Sequence, residues 1–488
     1  MRIGILAAVL AYEIISILGI TWWLKTRRHG ADKEHSFALG GRDIGWVFLS
    51  VTLALSVLGS AHILGMFEQS WHLGAVSLWF SFAHVALIVF ICVGSGRWVR
   101  RLGVSSMPEL TSLLYGPTVR LMTCCVMIPL LFGILTLEMQ GLGIVFSLLC
   151  GFSIQTGILI GCVIGCAYVI LGGLEEIVFL NLLNACVKYV GIVVAMIFLT
   201  YRLPQGWSGV EKFYLDADQA HMLSIWGTHD SLISFGIGVV FAVVVCQSVN
   251  QMAMHPVMAA RDEQSVMKAM WPAALINGLF AVFTVSMGLA AKSIPEFQAL
   301  GPKLAAPGML LAYLPPWLVA LILAVFLGSI LSVFSMICLG AATIFTKDIY
   351  INLYNPAAAN PKSETLAVRI TIVVLILLGA SIARSIPPIA AAVQWLFAWC
   401  APIFVCLIVG LFWKRSTAAT ILAMVGAWAV NTAWSFTDLP SWLGLEVIAH
   451  SNVYPAVVVS LVLQLVLTAV LKGEPGYFSV VPVAAAAE

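Results

Sequence analysis

The sequence predicts an all-α protein that crosses a membrane about thirteen times. Three observations support this fold class: the composition, the length of the apolar runs and the distribution of basic residues. Of the 488 residues, 61% are hydrophobic and only 9% are charged, whereas about 25% of a soluble globular chain is charged. A chain of this kind must place most of its surface in lipid, where a helix satisfies its own backbone hydrogen bonds.

The apolar runs are long enough to cross a hydrocarbon layer of about 30 Å. They recur along the whole chain, and the longest connection, residues 203–229, is too short to form another domain. The predicted spans are 3–24, 45–72, 74–96, 120–149, 153–171, 176–200, 230–255, 269–291, 316–346, 364–383, 387–412, 416–435 and 452–471.

The basic residues predict the orientation of these spans, because Lys and Arg accumulate in cytoplasmic loops. With the N-terminus outside, seventeen Lys and Arg residues fall in the inner loops and six fall in the outer loops. The sequence therefore predicts an outer N-terminus and a cytoplasmic C-terminus. We also expect the protein to lie in a plasma membrane of the bacterial inner-membrane type, where lipid is its partner.

Several function classes find no support in the sequence. The formal net charge of +2 is too small to indicate nucleic acid as a partner. We find no His/Cys spacing typical of zinc, no nucleophile–base pair and no phosphate-binding loop. We therefore expect neither an enzyme nor a protein with a cofactor.

The second predicted span is unusually rich in small polar residues. The stretch "SVTLALSVLGSAHILGMFEQSWHLG", residues 50–74, places Gly59, Ser60 and His62 close together. Glycine and serine weaken a helix and free carbonyls that bind an ion, or they let helices pack closely. We predict a break in this span near residues 59–62.

The ninth predicted span carries a row of hydroxyls. The stretch "LGSILSVFSMICLGAATIFTKDIY", residues 327–350, spaces Ser329, Ser332 and Ser335 three apart. One explanation is that each serine bonds back to its own helix. The other is that the serine face borders a polar site.

Two ionisable residues lie deep in predicted spans, which marks them as functional candidates. Lys188 is either a built-in or titrating cation, or a lysine that reaches water or pairs locally. Glu138 either binds a solute amine, pairs with Lys188, carries a proton or has a structural role.

Six motifs occur in an order that resembles the sodium/solute symporter family, also called the sodium–glucose cotransporter family. The chain would be a divergent member. The motifs are "FALGGRDIGW" (37–46), "GVSSMPELTSLLYG" (103–116), "LGGLEEIVFLNLLN" (171–184), "NQMAMHPVMAARDEQ" (250–264), "TKDIY" (346–350) and "LIVGLFWKRST" (407–417).

The resemblance implies the leucine-transporter fold, with two inverted repeats of five core helices. On this chain the repeats would cover residues 45–200 and 230–412 of one domain, 1–472. The peripheral spans would be 1–30 and 416–472, and residues 473–488 would form a cytoplasmic tail. A solute would bind near the midplane, beside the broken spans 2 and 7.

The resemblance also implies site residues. A sodium ion would lie between the carbonyls of Leu55 and Leu58 and two contributors from span 9, the Ser329 carbonyl and Ser332. The positions that match the family's solute pocket are His62, Glu138, Asn250, Gln394 and Trp395.

Four departures from the family pattern remove charge or ligand atoms near the ion. They are Val333 for a second hydroxyl, Asn181 for an aspartate, Asn184 for a glutamine and His255–Pro256 for Gln-Arg. A hard cation prefers several oxygen ligands. The coupling ion is therefore either sodium or a proton, with Lys188 as a substitute for sodium.

These observations together predict a secondary active transporter for a small polar or amine-bearing organic solute, working by alternating access. The alternative is a non-transporting membrane sensor or regulatory subunit on the same fold, which would need a partner protein. The sequence does not identify the solute.

Overall fold

The computed structural model describes residues 2–28, 37–171, 173–383, 389–449 and 451–480. Over these ranges the chain is helical apart from one short strand pair. Eleven of the described helices are long and apolar enough to cross a membrane, and two shorter helices are also apolar. The predicted all-α, multi-pass fold class is confirmed.

The first part of the chain contains the helices of predicted spans 1 to 6. Its α-helices are α1 (Arg2–Arg28), α2 (Trp46–Leu55), α3 (Met66–Leu73), α4 (Trp79–Val93), α5 (Ser95–Leu102), α6 (Met107–Tyr115), α7 (Pro117–Cys150), α8 (Ile154–Ile170), α9 (Gly173–Arg202) and α10 (Gly206–Asp216). A π-helical turn covers Ala61–Gly65, and 3-10 turns cover Gly40–Arg42, Gly74–Leu78 and Ala220–Leu223.

The second part contains the helices of the remaining predicted spans. Its α-helices are α11 (His229–Ser231), α12 (Gly238–Val240), α13 (Gln251–Met258), α14 (Glu263–Ser293), α15 (Pro295–Gln298), α16 (Gly301–Tyr313), α17 (Pro316–Thr343), α18 (Pro361–Ile382), α19 (Ile389–Ala398), α20 (Ala401–Phe412), α21 (Thr417–Phe436), α22 (Leu439–Trp442), α23 (Val453–Val470) and α24 (Tyr477–Val480). The π-helical segments are Leu232–Ile237, Phe241–Cys246 and Ile344–Tyr354, and the 3-10 turns are Gln247–Val249, Pro356–Ala358 and Glu446–Ile448. Each predicted span falls on one or more helices, and the number of crossings stays a prediction.

The second span is broken, as the sequence predicts. Helix α2 ends at Leu55, and helical structure resumes only at Ser60, one residue before the π-helical turn. The break therefore starts a few residues earlier than expected. Gly59 is required inside it, because a Cβ there would lie 2.5 Å from a carboxylate oxygen of Glu138.

The seventh span is broken as well. The 3-10 turn Gln247–Val249 leads into Asn250, whose backbone is extended (φ −73°, ψ 132°). Helix α13 starts at the next residue, and the Asn250 side chain accepts the N–H of Met252 at 3.0 Å as its N-cap. Breaks in the first helix of each half agree with the inverted repeat that the resemblance implies, whose boundaries stay a prediction.

Helix α17 forms the centre of the bundle. In the most apolar 18-residue stretch of Pro316–Tyr354, 89% of the residues are buried, against 22% in the corresponding stretch of α18 and 28% in that of α1. Helices α7, α9 and α1 pack against α17. The face of α17 that carries the serines is therefore enclosed by protein, whereas α1 and α18 present much of their surface to lipid.

Charged and polar contacts tie the predicted inner loops together. The Glu263 carboxylate at the start of α14 accepts hydrogen bonds from Arg97 and Arg101 of α5. Arg261 pairs with Asp43 at 2.7 Å, and the His255 ring lies 2.7 Å from the carbonyl of Ala38. These contacts join the start of α14 to α5, and the segment before α2 to α13 and the loop after it.

The predicted tail is folded over its first residues. Strand β1 (Lys414–Arg415) pairs antiparallel with β2 (Glu474–Pro475), and α24 packs against α20. The pairing forms because the loop after α20 returns close to the end of α23, where Lys414 donates to the carbonyl of Leu471 at 2.6 Å. Residues 481–488 lie outside the described part of the chain.

Candidate functional site

The three serines of α17 differ in their hydrogen bonding. Ser329 donates to the carbonyl of Val325 and Ser335 to that of Leu331, both at 2.7 Å. Ser332 is fully buried, and its hydroxyl has no hydrogen-bond partner among the described residues. Back-bonding to the helix explains two of the three serines. Ser332 is left with a free hydroxyl inside the bundle.

Asn181 of α9 provides a second unsatisfied polar group. It is fully buried, and neither atom of its amide has a partner in the part of the chain that the structure describes. The Asn184 side chain contacts Gly328 of α17, while Gly191 contacts Leu321. The two helices are therefore antiparallel, and this register places Asn181 at the level of Ser332.

The carbonyls of the broken second span are only partly available. Leu55 accepts the N–H of Leu58 at 3.1 Å, and Ala54 accepts the side-chain amide of Asn277 at 3.1 Å. The carbonyl of Leu58 makes no hydrogen bond to any described residue. Of the two carbonyls predicted to bind an ion, Leu58 is therefore the free one.

Lys188 is buried without an ionic partner. Its side chain is fully enclosed, and its ammonium makes no hydrogen bond to any described residue. The Nζ atom lies 4.9 Å from the ring centroid of Phe280 in α14. Lys188 neither reaches water nor pairs with Glu138, so those two alternatives are wrong. It also does not donate to Leu58 or Ser332 in this structure.

Glu138 of α7 binds the broken segment directly. Its Oε2 atom accepts the N–H of Ser60 at 2.8 Å, where helical structure resumes after the break. A carboxylate at a helix N-terminus satisfies a free N–H and is favoured by the helix dipole. This contact supports the structural alternative for Glu138.

His62 lies in a small aromatic cluster with two residues of α4. Its ring centroid is 4.6 Å from that of Phe80 and 4.3 Å from that of His84. Neither ring nitrogen of His62 has a hydrogen-bond partner among the described residues. Glu138 contacts Gly59 and Ser60 instead, so the structure does not join Glu138 and His62 in one contact.

The remaining predicted pocket residues lie near the second break or on α19. Asn250 caps α13 through its oxygen, and its amide nitrogen has no partner within the described ranges. The same holds for the side-chain nitrogen of Gln394. Trp395, in contrast, donates to Ser435 of α21 at 2.9 Å. Adjacent helical residues point about 100° apart, so Trp395 does not share the side of Gln394.

Two polar residues near this site were not predicted from the sequence. His84 lies in the third span, and Gln247 lies at the second break with an unpaired side-chain oxygen among the described residues. His84 is fully enclosed and its Nδ1 lies 2.7 Å from the carbonyl of Phe80. An ionisable residue inside a predicted span was the signal that marks His84.

The comparisons with known proteins agree with this architecture. The model of the sodium:solute symporter family matches residues 37–429. The sodium/pantothenate symporter of Escherichia coli (strain K12) is 22% identical over 486 residues, which cover 96% of this chain and 96% of that protein. The sodium/glucose cotransporter of Vibrio parahaemolyticus is 22% identical over 444 residues, covering 84% of this chain and 81% of that protein.

A solved structure shares the fold over almost the whole chain. The substrate-bound outward-open state of a Na⁺-coupled sialic acid symporter aligns with a TM-score of 0.78. The alignment covers 96% of this chain and 99% of that chain at 14% identity, so it bears on the fold alone. With the family match over most of the sequence, the predicted family and leucine-transporter-type fold are confirmed. The chain is a secondary membrane transporter and belongs to the sodium:solute symporter family.

Proposed function

We propose that this protein is a cation-coupled symporter that carries a small polar organic solute across the plasma membrane by alternating access. Family membership supports solute and sodium as the transported partners. The two broken spans support the mechanism, because unwound backbone at membrane depth is tolerated where it is enclosed by protein or lines a cavity. The N-terminus would lie outside and the C-terminus inside the cell.

The free hydroxyl of Ser332 carries the proposal for the cation. Ser332 is enclosed in the bundle and lies level with the unpaired amide of Asn181. The Leu58 carbonyl and these two oxygens would be the ligands of a sodium ion. Burying unpaired polar groups costs free energy, and a bound cation would recover part of it. Because Val333 supplies no oxygen, we expect the ion to bind weakly.

Lys188 supports a second candidate for the driving cation, the proton. A buried lysine without a hydrogen-bond partner is an expensive feature in a membrane protein. Such a lysine would either take up and release a proton during the cycle or replace the ion with a fixed charge. Sodium dependence would then be weak or absent.

The solute pocket is proposed around His62, His84, Gln247 and Gln394. These side chains offer ring faces and neutral hydrogen-bonding groups near the two breaks, which suits a polar solute. Because the Glu138 carboxylate already accepts the N–H of Ser60, the proposed preference for an amine-bearing solute loses its main support.

Sodium binding to the purified protein tests the cation site without a known solute. Sodium is titrated in place of choline while the thermal unfolding midpoint is followed. We expect stabilisation in the native protein and in Ser335→Ala, because Ser335 already bonds to its own helix. Ser332→Ala should lose most of this sodium-dependent stabilisation.

Equal sodium responses of Ser332→Ala and the native protein would contradict the proposed ligand.

Uptake into proteoliposomes separates the transporter from a sensor. A panel of radiolabelled polar solutes is offered under a sodium gradient, and accumulation of at least one of them is expected. Binding of a solute without accumulation would favour the sensor.

A further inference from the structure

The first helix carries a polar face that points into the bundle. Although α1 exposes much of its surface to lipid, Glu13 is 1% exposed and Ser16 and Thr21 are 8% exposed. Val9, Glu13 and Ser16 are spaced by four and three positions and therefore lie on one side of the helix. This side packs against α9 and α17.

Glu13 has no hydrogen-bond partner for either carboxylate oxygen among the described residues. A charged carboxylate in such surroundings is expensive, so the acid needs a proton or another cation for this packing to persist. Tyr12 donates to the side-chain oxygen of Asn184 at 2.7 Å. The amide nitrogen of Asn184 donates to the hydroxyl of Tyr168 at 3.4 Å. The acid is therefore the sequence neighbour of Tyr12, which begins a hydrogen-bonded chain through Asn184 to Tyr168.

Other polar side chains lie along α1 between Glu13 and the predicted inner side. The hydroxyl of Thr21 is hydrogen-bonded to Oε1 of Glu176 at 2.5 Å. Glu175, beside it in the first turn of α9, lines an inner cavity of about 410 Å³ together with Asp43 and other residues. Thr21 and Glu13 are about 12 Å apart along α1, with Ser16 between them. Polar side chains therefore recur along α1 between Glu13 and the end of the helix that contacts Glu176.

The other end of the chain reaches the candidate cation site. Gly328 of α17 lies so close to Asn184 that an added Cβ would be 2.7 Å from its amide nitrogen. Ser332 lies one helical turn further along α17. A shift of Asn184 would therefore move the backbone that positions Ser332.

We propose that Glu13 is a proton-binding site in the peripheral first helix, filled from the inner side, and that its occupancy changes cation affinity at Ser332 through Tyr12, Asn184 and Gly328. The step is reversible: the carboxylate takes a proton from inner water and returns it there. Loss of the proton leaves a negative charge that attracts a cation, so sodium affinity should rise with pH. The other titratable groups around Glu13 and Tyr12 are Tyr168, Glu176 and Cys186.

Infrared difference spectroscopy on the purified full-length protein tests the proton site itself. Difference spectra without solute between about pH 6 and about pH 9, where exposed carboxylates stay ionised, report the carbonyl stretch of carboxylic acids that are protonated only at the lower pH. Glu13→Gln should lose part of this band, whereas Glu211→Gln, an exposed change on α10, should keep it. An unchanged band in Glu13→Gln would overturn the proposal. This measurement does not depend on the proposed function.

Sodium affinity at two pH values tests the link, and only this measurement rests on the proposed function. We expect about fivefold tighter binding at the higher pH in the native protein, the lower end of usual coupling. Glu13→Gln should abolish this dependence. Tyr12→Phe should keep the infrared band and reduce the fivefold change, because it removes the hydrogen bond to Asn184 but leaves the charge of Glu13. Equal pH dependence in the native protein and Glu13→Gln would overturn the link, whereas absent sodium binding in every protein would refute the proposed sodium site and leave the infrared result standing.

Discussion

Glu138 and Gly59 occupy complementary space: the carboxylate of Glu138 fills the volume that a side chain at Gly59 would need. An added Cβ would lie 2.5 Å from Oε1 of Glu138, while Oε2 accepts the N–H of Ser60 at 2.8 Å. The break in the second span therefore depends on one residue without a side chain and on one buried carboxylate from α7.

Gly59→Ala should destabilise the protein because the new methyl group overlaps Glu138. Overpacking of this kind costs about 1–3 kcal/mol. The thermal unfolding midpoint should fall, and Gly4→Ala provides a matched control, since nothing lies within 4 Å of an added Cβ there. Equal midpoints for the two variants would show that Glu138 moves aside without cost.

Glu138→Ala should destabilise the protein more than Glu138→Gln. Glutamine keeps an oxygen that accepts the Ser60 N–H, whereas alanine leaves a buried donor unpaired at about 1–3 kcal/mol. Both variants are followed by thermal unfolding in detergent. Equal losses in the two variants would mean that the negative charge, and not the hydrogen bond, matters.

The local features of the fold were predictable from the sequence because they depend on neighbouring residues. The clustered Gly59, Ser60 and His62 indicated a break, since glycine and serine weaken a helix wherever they occur. The role of Glu138 depends on its contact with Ser60, which is 78 positions away in the sequence. No local sequence pattern indicates a contact between residues so far apart.

The same limit explains the other differences. Ser329, Ser332 and Ser335 look alike in sequence, and only the packing of α9 and α17 leaves Ser332 without a partner. Trp395 was predicted beside Gln394, but helical phase turns its indole towards Ser435. Glu13 lies in a peripheral span, yet an ionisable residue in any span is a signal, so the sequence alone could have marked it as a candidate.

Asp262→Ala should weaken the start of α14. The Asp262 carboxylate accepts the N–H of Ser265 at 2.6 Å, and loss of such a cap costs about 1 kcal/mol. This hydrogen bond holds the pKa of Asp262 below its ordinary value. The cap is therefore intact above the unfolded-state pKa and is lost as the pH falls through the lower folded-state pKa. Thermal unfolding at neutral and acidic pH should show the difference between variant and native protein shrinking in acid.

Val333→Thr should strengthen sodium binding. The change adds a hydroxyl next to Ser332, where the family resemblance implies one. A tenfold gain in sodium affinity corresponds to about 1.4 kcal/mol of binding free energy. The gain in sodium affinity is measured as sodium-dependent stabilisation against thermal unfolding. Val319→Thr, at another buried position of α17, controls for the cost of a hydroxyl inside the bundle. A similar gain in both variants would show that the effect is not local to Ser332.

Lys188→Met should separate the two candidates for the driving cation. Methionine keeps much of the length of the side chain over Phe280 but removes the buried ammonium, so we expect the thermal unfolding midpoint to rise. If the lysine charge substitutes for sodium, uptake of an identified solute should fall sharply, while sodium binding at Ser332 becomes stronger because the repulsion is gone. Lys212→Met, an exposed change on α10, should alter neither quantity. Unchanged uptake and unchanged sodium affinity in Lys188→Met would exclude the lysine from coupling and leave sodium at Ser332 as the driver.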